Sequence, residues 1–361
     1  MHKLITLTVA LFMTCSFALP ASAAEVVWSG ATSAAWQEPT NWVGGVAPSL
    51  ADYSMFQDGG SGNTVIDLGA DLVVKSLQFK EALVGAYTIG TGGAGGQTLI
   101  LNDLGNVTLQ ASNGQAQVVN ADLVLGQNNG ESTYWFANDS GSMLTIAGDV
   151  TGSSVATTAG VKTLSFYGAG PITTSGIISD GGAANVKVGM QGDGVFTMTG
   201  ANTYTGGTDL YYGTLNFADG ALGTTGTIDF KGNATLQWAV ANTQDLSSRM
   251  KLEDNFTATI DVQSNDVVFA SALQTGDLGT GGLTKKGDGA LTLSAVNTYT
   301  GLTTVDAGTL NLETGLTGDL LFSGDGTVNL ADGQTMSGNV TTVGDPLGPI
   351  GVLNFAGTGT V

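Results

Sequence analysis

The sequence predicts an all-β fold, a right-handed parallel β-helix (solenoid) whose coils stack along one axis. Residues 192–217 and 287–312 are two copies of one pattern, aligned without a gap at an offset of 95 and sharing GDG, NTYTG and GTLN. Short apolar or alternating runs recur between glycine-rich turns such as GTGGAGG and SDGG, as expected for strands of about four to eight residues. Helical periodicity is almost absent. A repeated unit made of strands and turns indicates a solenoid, because each unit buries its apolar face against its neighbours.

Residues 1–23 have the pattern of a secretory signal peptide. A basic start precedes an apolar run at 4–19, and Ala-Ser-Ala at 21–23 supplies the small residues before a cleavage site. The apolar run is shorter than the roughly 20 residues of a spanning helix, so we predict export without membrane insertion. Cleavage removes His2 and Cys15, the only histidine and the only cysteine.

The mature chain is strongly acidic. Nine lysines and arginines face 30 aspartates and glutamates after residue 23, a net charge of −21. Such a surface repels phosphate backbones and anionic lipid, so we predict neither nucleic acid nor a membrane surface as partner. Hydrophobic residues make up 42% of the chain, which is enough to bury a core without disulfide bonds.

Residues 24–80 differ from the rest of the mature chain and contain three of the five tryptophans, Trp28, Trp36 and Trp42. The end of a β-helix exposes unpaired strand edges and needs a cover. We therefore predict that residues 24–80 form an N-terminal Trp-rich cap with the first coils. We expect the three indoles to be buried there rather than exposed for stacking on sugars.

Residues 81–361 are predicted to be the β-helix, with repeat units at 186–217 and 281–312. The offset of 95 residues holds about four coils if a coil takes roughly 20 to 25 residues, and the chain then holds about 15 coils. At about 4.8 Å per coil the rod is roughly 70 Å long. The residues expected to point into its interior are Leu215, Phe217, Leu310 and Leu312.

The NTYTG motif predicts two further features. Its asparagines and threonines are expected to form ladders from coil to coil, each amide bonding the one above and below. Tyr204 and Tyr299 are expected to stack at a corner without binding a ligand. One helical segment is predicted at Asp245–Leu252, where Asp245 caps one or two turns and Leu246 and Met250 share a face.

Residues 281–312 resemble the autotransporter-associated β-strand repeat, also called the passenger-associated transport repeat. The family's G-L-T-K-x-G, L-T-L, N-T-Y-x-G and T-x-V-x-x-G-T-L elements are matched by Gly282–Lys285 with Gly287, Leu291–Leu293, Asn297–Gly301 and Thr303–Leu310. The first copy departs from the pattern, with Val188-Gly189-Met190 in place of L-T-K and with Tyr211-Tyr212 before Gly213.

The resemblance implies a β-helical passenger that leaves a Gram-negative-type cell through Sec and an outer-membrane translocator, and it implies no catalytic residues. Such a passenger is secreted or displayed on the outer-membrane cell surface. The resemblance also implies a C-terminal β-barrel or a Pro-Glu-Pro sorting segment, and neither pattern occurs before Val361. We therefore expect either a truncated gene product or a protein secreted without an anchor, and we favour the first.

No catalytic, cofactor-binding or metal-binding residue is predicted. The mature chain has no His or Cys, which excludes Ser-His and Cys-His triads and His-containing zinc sites, and its single arginine, Arg249, opposes lyase chemistry. Calcium sites are also not predicted, because the glycine-aspartate nonapeptide of calcium-binding β-rolls is absent. The acidic residues in glycine turns, which we predict to be solvated, are Asp180, Asp193, Asp288 and Asp325.

The sequence thus predicts a secreted or surface-displayed passenger with a structural or adhesive role, no cofactor and no enzymatic activity. Surface glycans and host or matrix proteins are its expected partners. Two alternatives stay open: a polysaccharide-active lyase or hydrolase that uses a carboxylate pair, and a calcium-stiffened extracellular scaffold. A strip of acidic and aromatic side chains along one face would favour the enzyme, whereas an unbroken Thr/Asn surface would favour the structural role.

Overall fold

The computed structural model describes residues 23–80, 85–126, 130–153, 159–343 and 351–355. Residues 1–22 of the predicted signal peptide lie outside the described residues. The strands, in chain order, are β1 (Glu25–Val27), β2 (Tyr53–Phe56), β3 (Val65–Ile66), β4 (Leu72–Phe79), β5 (Thr88–Ile89), β6 (Thr98–Leu109), β7 (Gln117–Val119), β8 (Asp122–Leu125), β9 (Ser132–Asn138), β10 (Leu144–Ile146), β11 (Val150–Thr151), β12 (Ala159–Tyr167), β13 (Ile172–Thr174), β14 (Ile178–Ser179), β15 (Ala183–Met190), β16 (Val195–Met198), β17 (Thr208–Leu210), β18 (Thr214–Phe217), β19 (Ile228–Phe230), β20 (Thr235–Trp238), β21 (Met250–Leu252), β22 (Thr257–Asp261), β23 (Val267–Phe269), β24 (Gln274–Thr275), β25 (Gly282–Lys286), β26 (Ala290–Leu293), β27 (Thr303–Val305), β28 (Thr309–Leu312), β29 (Leu320–Phe322), β30 (Thr327–Leu330), β31 (Val340–Thr342) and β32 (Val352–Phe355). Three single 3-10 turns, Pro39–Asn41, Gly60–Gly62 and Ser247–Arg249, complete the regular structure of the described segments.

These strands form a parallel β-solenoid, as predicted. A 14-stranded first sheet follows the path β1-β2-β4-β6-β9-β12-β15-β17-β19-β21-β24, with β8, β11 and β14 beside it. The second sheet has 13 strands, β3-β5-β7-β10-β13-β16-β18-β20-β22-β25-β27-β29-β31, and the third has five, β23-β26-β28-β30-β32. Each strand pairs in parallel with the strand one coil earlier and one coil later, as when Leu215 pairs with Phe196 and Leu236. The handedness of the helix stays a prediction.

The second sheet sets the number of coils at about 13, which makes a stack roughly 60 Å long at about 4.8 Å per strand. This is fewer coils than the predicted 15. The reason is that early coils are longer than the assumed 20 to 25 residues. Thr88 pairs with Val118, for example, so that coil takes 30 residues.

The two repeats lie on different sheets. In the first repeat β17 belongs to the first sheet and β18 to the second, whereas their counterparts 95 residues later, β27 and β28, belong to the second and third sheets. The change occurs where β23 starts the third sheet and β24 ends the first. The second repeat is therefore four coil steps along the stack and one sheet further around it.

Inward-facing aliphatic and aromatic side chains fill the interior, and the residues predicted to point inward, Leu215, Phe217, Leu310 and Leu312, are all buried. They stack on their counterparts in neighbouring coils. The ring of Phe217 meets Trp238 of the next coil at 4.9 Å between centroids. Each such side chain contributes about 1.5–3 kcal/mol of burial free energy, so the column is the main source of cohesion along the rod.

The predicted N-terminal cap is present as an aromatic cluster. Trp28, Trp36 and Trp42 are buried, and the ring centroids of Trp42 lie 5.0 Å from Trp28 and 4.8 Å from Trp36 in edge-on contacts. The Trp42 Nε1 donates to the Trp36 carbonyl at 2.7 Å, so the polar edge is satisfied inside the cluster. Phe56 stacks on Phe79 at 5.1 Å and joins the cluster to the following coil.

The NTYTG asparagines do not form the predicted ladder. Asn202 Oδ1 accepts from the Ile178 amide at 2.7 Å and its Nδ2 donates to the Ala221 carbonyl at 2.6 Å. Asn297 Oδ1 likewise accepts from the Leu273 amide at 2.8 Å. The prediction was wrong because these residues lie at corners, where backbone groups have no ladder partner and the amide side chain satisfies them instead.

The asparagines of GTLN form the ladders. Asn216 Nδ2 donates to Gln237 Oε1 and Gln237 Nε2 donates to Asp261 Oδ2, both at 2.8 Å. In the other copy, Asn329 donates to Asn311 at 2.8 Å and Asn354 donates to Asn329 at 2.9 Å. These positions face outward on in-register parallel strands, where like side chains stack at the strand spacing.

Tyr204 and Tyr299 lie in the connections that follow β16 and β26. Both are fully buried, and their hydroxyls share hydrogen bonds with Thr208 at 2.7 Å and Thr303 at 3.0 Å. They pack in the core with a satisfied hydroxyl, and that they bind no ligand stays a prediction. Burial raises the pKa of each phenol to about 12.

The segment predicted as one or two helical turns is a single 3-10 turn, Ser247–Arg249, followed by β21. Asp245 Oδ1 does accept from the Ser247 amide at 2.8 Å. The helix is shorter than predicted because β21 pairs with β19 of the preceding coil. Arg249 also has an unforeseen role. The carbonyls that accept from its guanidinium are those of Leu222, Gly223, Thr225 and Gly226, at 2.8–3.0 Å.

The two repeats differ inside the core at one ionisable position. Lys285 is buried, and its Nζ donates to the carbonyls of Lys286 at 3.0 Å and Gly287 at 2.7 Å, and to Ala307 of the next coil at 3.1 Å. Burial lowers the pKa of Lys285 to about 8, although the three carbonyls favour the protonated amine. The first repeat has Met190 at the equivalent position, also buried.

Candidate functional site: an aromatic groove on the first sheet

The outward face of β9, β12, β15 and β17 carries the candidate site. Side chains of a strand alternate between the two faces, so neighbouring strands place outward residues in rows along the rod. One row runs from Trp135 to Ser165, Gly189 and Asp209, which pair in register. The residues after the paired Phe166, Met190 and Leu210 form the adjacent row, which is Tyr167, Gln191 and Tyr211.

These rows enclose an open groove, which we call the aromatic groove. It consists of two adjoining depressions of about 640 and 480 Å³ that share Gln191 and Tyr211. The larger one is bordered by Tyr167, Tyr212 and the carboxylates of Asp139 and Asp193. The list of side chains that border only the smaller one includes Leu104, Glu131, Thr133, Thr163, Lys187 and Asp209.

Aromatic rings are unusually exposed here. Trp135 is 37% exposed, Tyr167 50% and Tyr212 54%, whereas the other four tryptophans of the chain are buried. The rings of Trp135 and Tyr167 meet edge-on at 6.1 Å. The groove therefore presents flat apolar surfaces to solvent beside polar groups.

The floor of the groove is low because Gly189 has no side chain. A Cβ at Gly189 would approach no atom closer than Thr163 Cγ2 at 3.7 Å, an ordinary van der Waals contact. Packing therefore does not require glycine at this position. The Oγ of Ser165 would lie 3.8 Å from such a Cβ; Ser165 is buried, and its Oγ has no hydrogen-bond partner within the described part of the chain.

A charged row borders one end of the groove. Asp209 Oδ2 accepts from Lys187 Nζ and from Lys231 Nζ, each at 2.9 Å. Asp229 lies in register with Asp209 on the next strand, and burial raises the pKa of its carboxyl, with repulsion from Asp209 adding to the effect. The lysines thus hold one carboxylate in place while the next one is poorly solvated.

The second repeat has different residues at the positions that form the groove and provides an internal comparison. The positions equivalent to Gly189, Gln191 and Tyr211 are Thr284, Lys286 and Asp306, and Ala307 replaces Tyr212. Lys286 and Asp306 form an exposed ion pair at 3.7 Å. Gly189, the outward residue of the departure at 188–190, and the departure at 211–212 therefore lie on one surface, whereas Val188 and Met190 point into the core.

In the sequence these departures indicate only a weaker match to the repeat. The signal that identifies the site is their combination: in one copy only, an outward glycine replaces a threonine, and two tyrosines replace an aspartate and an alanine. Trp135 and Tyr167 lie outside the repeat, and their proximity depends on how β9 and β12 align with β15. That alignment was not readable from the sequence.

The turn carboxylates fall into two groups. Asp193, Asp288 and Asp325 are exposed, as predicted. Asp180 is not simply solvated, because it accepts from the Val186 amide at 2.7 Å and from the amide and hydroxyl of Thr205 at 3.2 and 2.5 Å. Within the described ranges no group of three or more His, Cys, Asp or Glu side chains is placed to hold a metal ion.

No helix in the described segments is long and apolar enough to cross a membrane. The sequence model of the passenger-associated-transport-repeat family matches residues 190–217 and 283–312. The adhesin BmaC autotransporter of Brucella suis biovar 1 (strain 1330) is 30% identical over 264 residues, which cover 68% of this chain and 7% of that protein. No solved structure matches the chain. The chain is therefore a parallel β-solenoid that carries two passenger-associated transport repeats and is similar over 264 residues to an autotransporter adhesin.

Proposed function

We propose that the chain is part of a surface-displayed passenger that acts as an adhesive rod. The observation that carries the proposal is the likeness to an autotransporter adhesin over 264 residues, combined with a solenoid of about 13 coils. The chain spans 7% of that relative's length, so the adhesive role is proposed only for the part that the two proteins share. Residues 1–23 direct export through Sec, and an outer-membrane translocator delivers the passenger to the surface.

In this proposal residues 24–80 cap the rod and residues 81–361 carry its lateral surfaces. A solenoid presents extended faces for binding, because each coil adds one row of outward side chains. The aromatic groove is the contact surface, since it combines exposed rings with a depression large enough to admit a ligand. The role requires no catalysis and no cofactor.

Attachment of coated beads tests the adhesive role. Beads carrying the mature chain, residues 24–361, are added to cultured epithelial cells and to surfaces coated with extracellular matrix. We expect saturable retention that soluble mature chain competes away. Beads coated with an unrelated acidic protein are the control, and retention equal to theirs would contradict the proposal.

A polysaccharide-active enzyme is the second candidate, and one observation favours it. A strip of acidic and aromatic side chains, the sign expected of such an enzyme, lies along the first sheet. Burial raises the pKa of Asp229, and its neighbour in register is a second carboxyl, Asp209, an arrangement that resembles the carboxyl pairs of glycosidases. Asp209 is nevertheless held by Lys187 and Lys231, which opposes a role as nucleophile or base.

Release of reducing ends from polysaccharides decides between the two candidates. The mature chain and its Asp229→Asn variant are incubated with neutral and acidic polysaccharides. We expect no release by either protein. Release that Asp229→Asn abolishes would establish the enzyme instead.

A further inference from the structure

We propose that the aromatic groove binds an uncharged polysaccharide chain. Sugar rings stack on Tyr167, Tyr211 and Tyr212, and their hydroxyls bond to Gln191 and to the rim carboxylates. This inference rests on the proposed function, because it names the ligand class of the same contact surface.

The exposed aromatic rings at the groove are suited to stacking on sugars. A soluble protein buries large aromatic side chains, and the cap and core of this chain do so. Tyr167 and Tyr212 are exposed at the border of the groove instead, and the exposed Trp135 contacts Tyr167. The C–H faces of a sugar ring pack flat against such rings, while the tyrosine hydroxyls stay available for hydrogen bonds.

The spacing of the groove residues along the rod fits a sugar chain. Tyr167 ends β12, and Gln191 and Tyr211 directly follow β15 and β17. The Gln191 amide donates to the Phe166 carbonyl and the Tyr211 amide to the Met190 carbonyl, both at 2.9 Å, so the three residues continue the parallel ladder at a spacing of about 4.8 Å. This repeat is close to the length of one hexose unit in an extended chain. A linear polysaccharide lying along the rod would therefore meet ring, amide and ring in step with its own residues.

The floor of the groove offers space and a polar group to a ligand. The missing side chain at Gly189 opens the depression, and Ser165 beside it holds a buried hydroxyl without a partner in the described structure. An unsatisfied buried hydroxyl costs free energy, which a ligand hydroxyl reaching the floor would recover. A polyhydroxyl ligand fits this group better than an apolar one.

The negative charge around the groove favours an uncharged ligand. The chain carries a net charge of −20, and the groove adds Asp139, Asp193 and Glu131 at its borders. The adjacent lysines, Lys187 and Lys231, already donate to Asp209. Anionic polysaccharides are therefore repelled, whereas neutral hydroxyls can donate to the rim carboxylates.

Affinity electrophoresis tests the proposal with the full mature chain. The protein is run through native gels that contain laminarin, mannan or dextran as neutral probes, polygalacturonate as an anionic probe and chitosan as a cationic one. We expect retardation by at least one neutral probe and none by polygalacturonate. Absence of retardation by all neutral probes, or binding to a charged probe alone, would overturn the proposal.

Three variants assign the binding to the groove. Gly189→Thr installs the residue of the second repeat, and its Cβ would come no closer than 3.7 Å to another atom, an ordinary van der Waals contact. Tyr167→Ala with Tyr212→Ala removes two rings that are already half exposed. We expect each change to weaken binding at least tenfold at an unchanged circular-dichroism spectrum and melting midpoint. Lys286→Ala, on the equivalent surface of the second repeat, should bind as the parent does. Equal affinity of the groove variants and the parent would place the site elsewhere and refute the assignment.

The same variants separate this inference from the adhesive role. Beads coated with Gly189→Thr that still attach to cells would leave adhesion intact and remove the groove as its cause. A parent chain that binds a neutral polysaccharide but gives no bead attachment would support the groove and reject the adhesive function.

Discussion

Lys285 shows how a repeat motif assigns a structural task to an ionisable side chain. Its buried amine holds together two glycine turns, through the carbonyls of Gly287 in its own coil and Ala307 in the next. The sequence placed this lysine in the family pattern but gave it no role. Its inward direction follows from the alternation in β25, where Leu283 and Lys285 share the buried face.

Lys285 predicts a pH dependence of stability. Its pKa is about 8 in the folded protein and about 10.4 in the unfolded chain, so unfolding takes up a proton between these values and the free energy of unfolding rises with pH. The rise attributable to Lys285 is at most about 1.4 kcal/mol per pH unit. Urea unfolding of the parent and Lys285→Met from pH 7.5 to 9.5 measures it.

Two outcomes of that experiment matter. At pH 7.5 Lys285→Met should be less stable by about 1–3 kcal/mol, because three part-buried carbonyls lose their donor. Its stability should also lack the alkaline rise. Parallel curves for the two proteins would mean that the amine stays protonated throughout. The range ends below pH 10, since Tyr204 and Tyr299 have raised pKa values and the unfolded phenols begin to ionise there.

At the scale of elements, the cap and the repeat units contribute differently to stability. In a solenoid each coil contacts mainly its neighbours, so an end can loosen while the middle stays folded. The tryptophan cluster closes one end, where Trp42 contacts both Trp28 and Trp36. We therefore expect mutations in the cluster to act locally.

Trp42→Ala tests the cap. It removes a buried ring and should destabilise the cap by about 3–5 kcal/mol. Hydrogen exchange should accelerate in residues 24–80 and stay near parent rates in the strands of the second repeat. Trp135→Ala, at an exposed tryptophan, is the matched control and should leave exchange in the cap unchanged. Uniform acceleration along the chain would show that the rod unfolds as one unit.

The elements also show what the sequence could and could not predict. Strands, turns, buried leucines and the cap followed from local periodicity, which depends only on neighbours in sequence. The roles of Asn202 and Asn216 did not, because the first lies at a corner and the second on a flat strand, a difference set by the stacking of coils. The groove could not be predicted for the same reason, because Tyr167 and Tyr211 line one depression only through the register of three strands.

At the scale of the whole molecule, charge and shape dominate. The chain has 30 acidic and 10 basic residues, and many carboxylates accept backbone hydrogen bonds between coils. Asp254 accepts from the amides of Leu278 and Thr280, and Asp67 from Gln97 and Gly69, and these bonds lower the pKa of both carboxyls. The acidic side chains thus repel one another at long range and stabilise individual turns at short range.

These two effects predict opposite responses to salt and to acid. Added sodium chloride at pH 7 should raise the melting midpoint by screening repulsion. Acid should lower it once the pH falls through the depressed pKa values of carboxyls such as Asp67 and Asp254, because the unfolded chain then binds more protons. Calorimetry over a salt series and an acid series measures both. A midpoint that falls with salt at pH 7 would show that attraction outweighs repulsion.

The displacement of the second repeat by one sheet has a consequence for display. Two copies of one motif point to different sides of the shaft, so a patch gained in one copy is not simply extended by gaining it in the other. Successive duplications with the same displacement would place their patches on successive faces around the rod axis. Cells or fibres that approach the rod from different directions would then each contact a different patch.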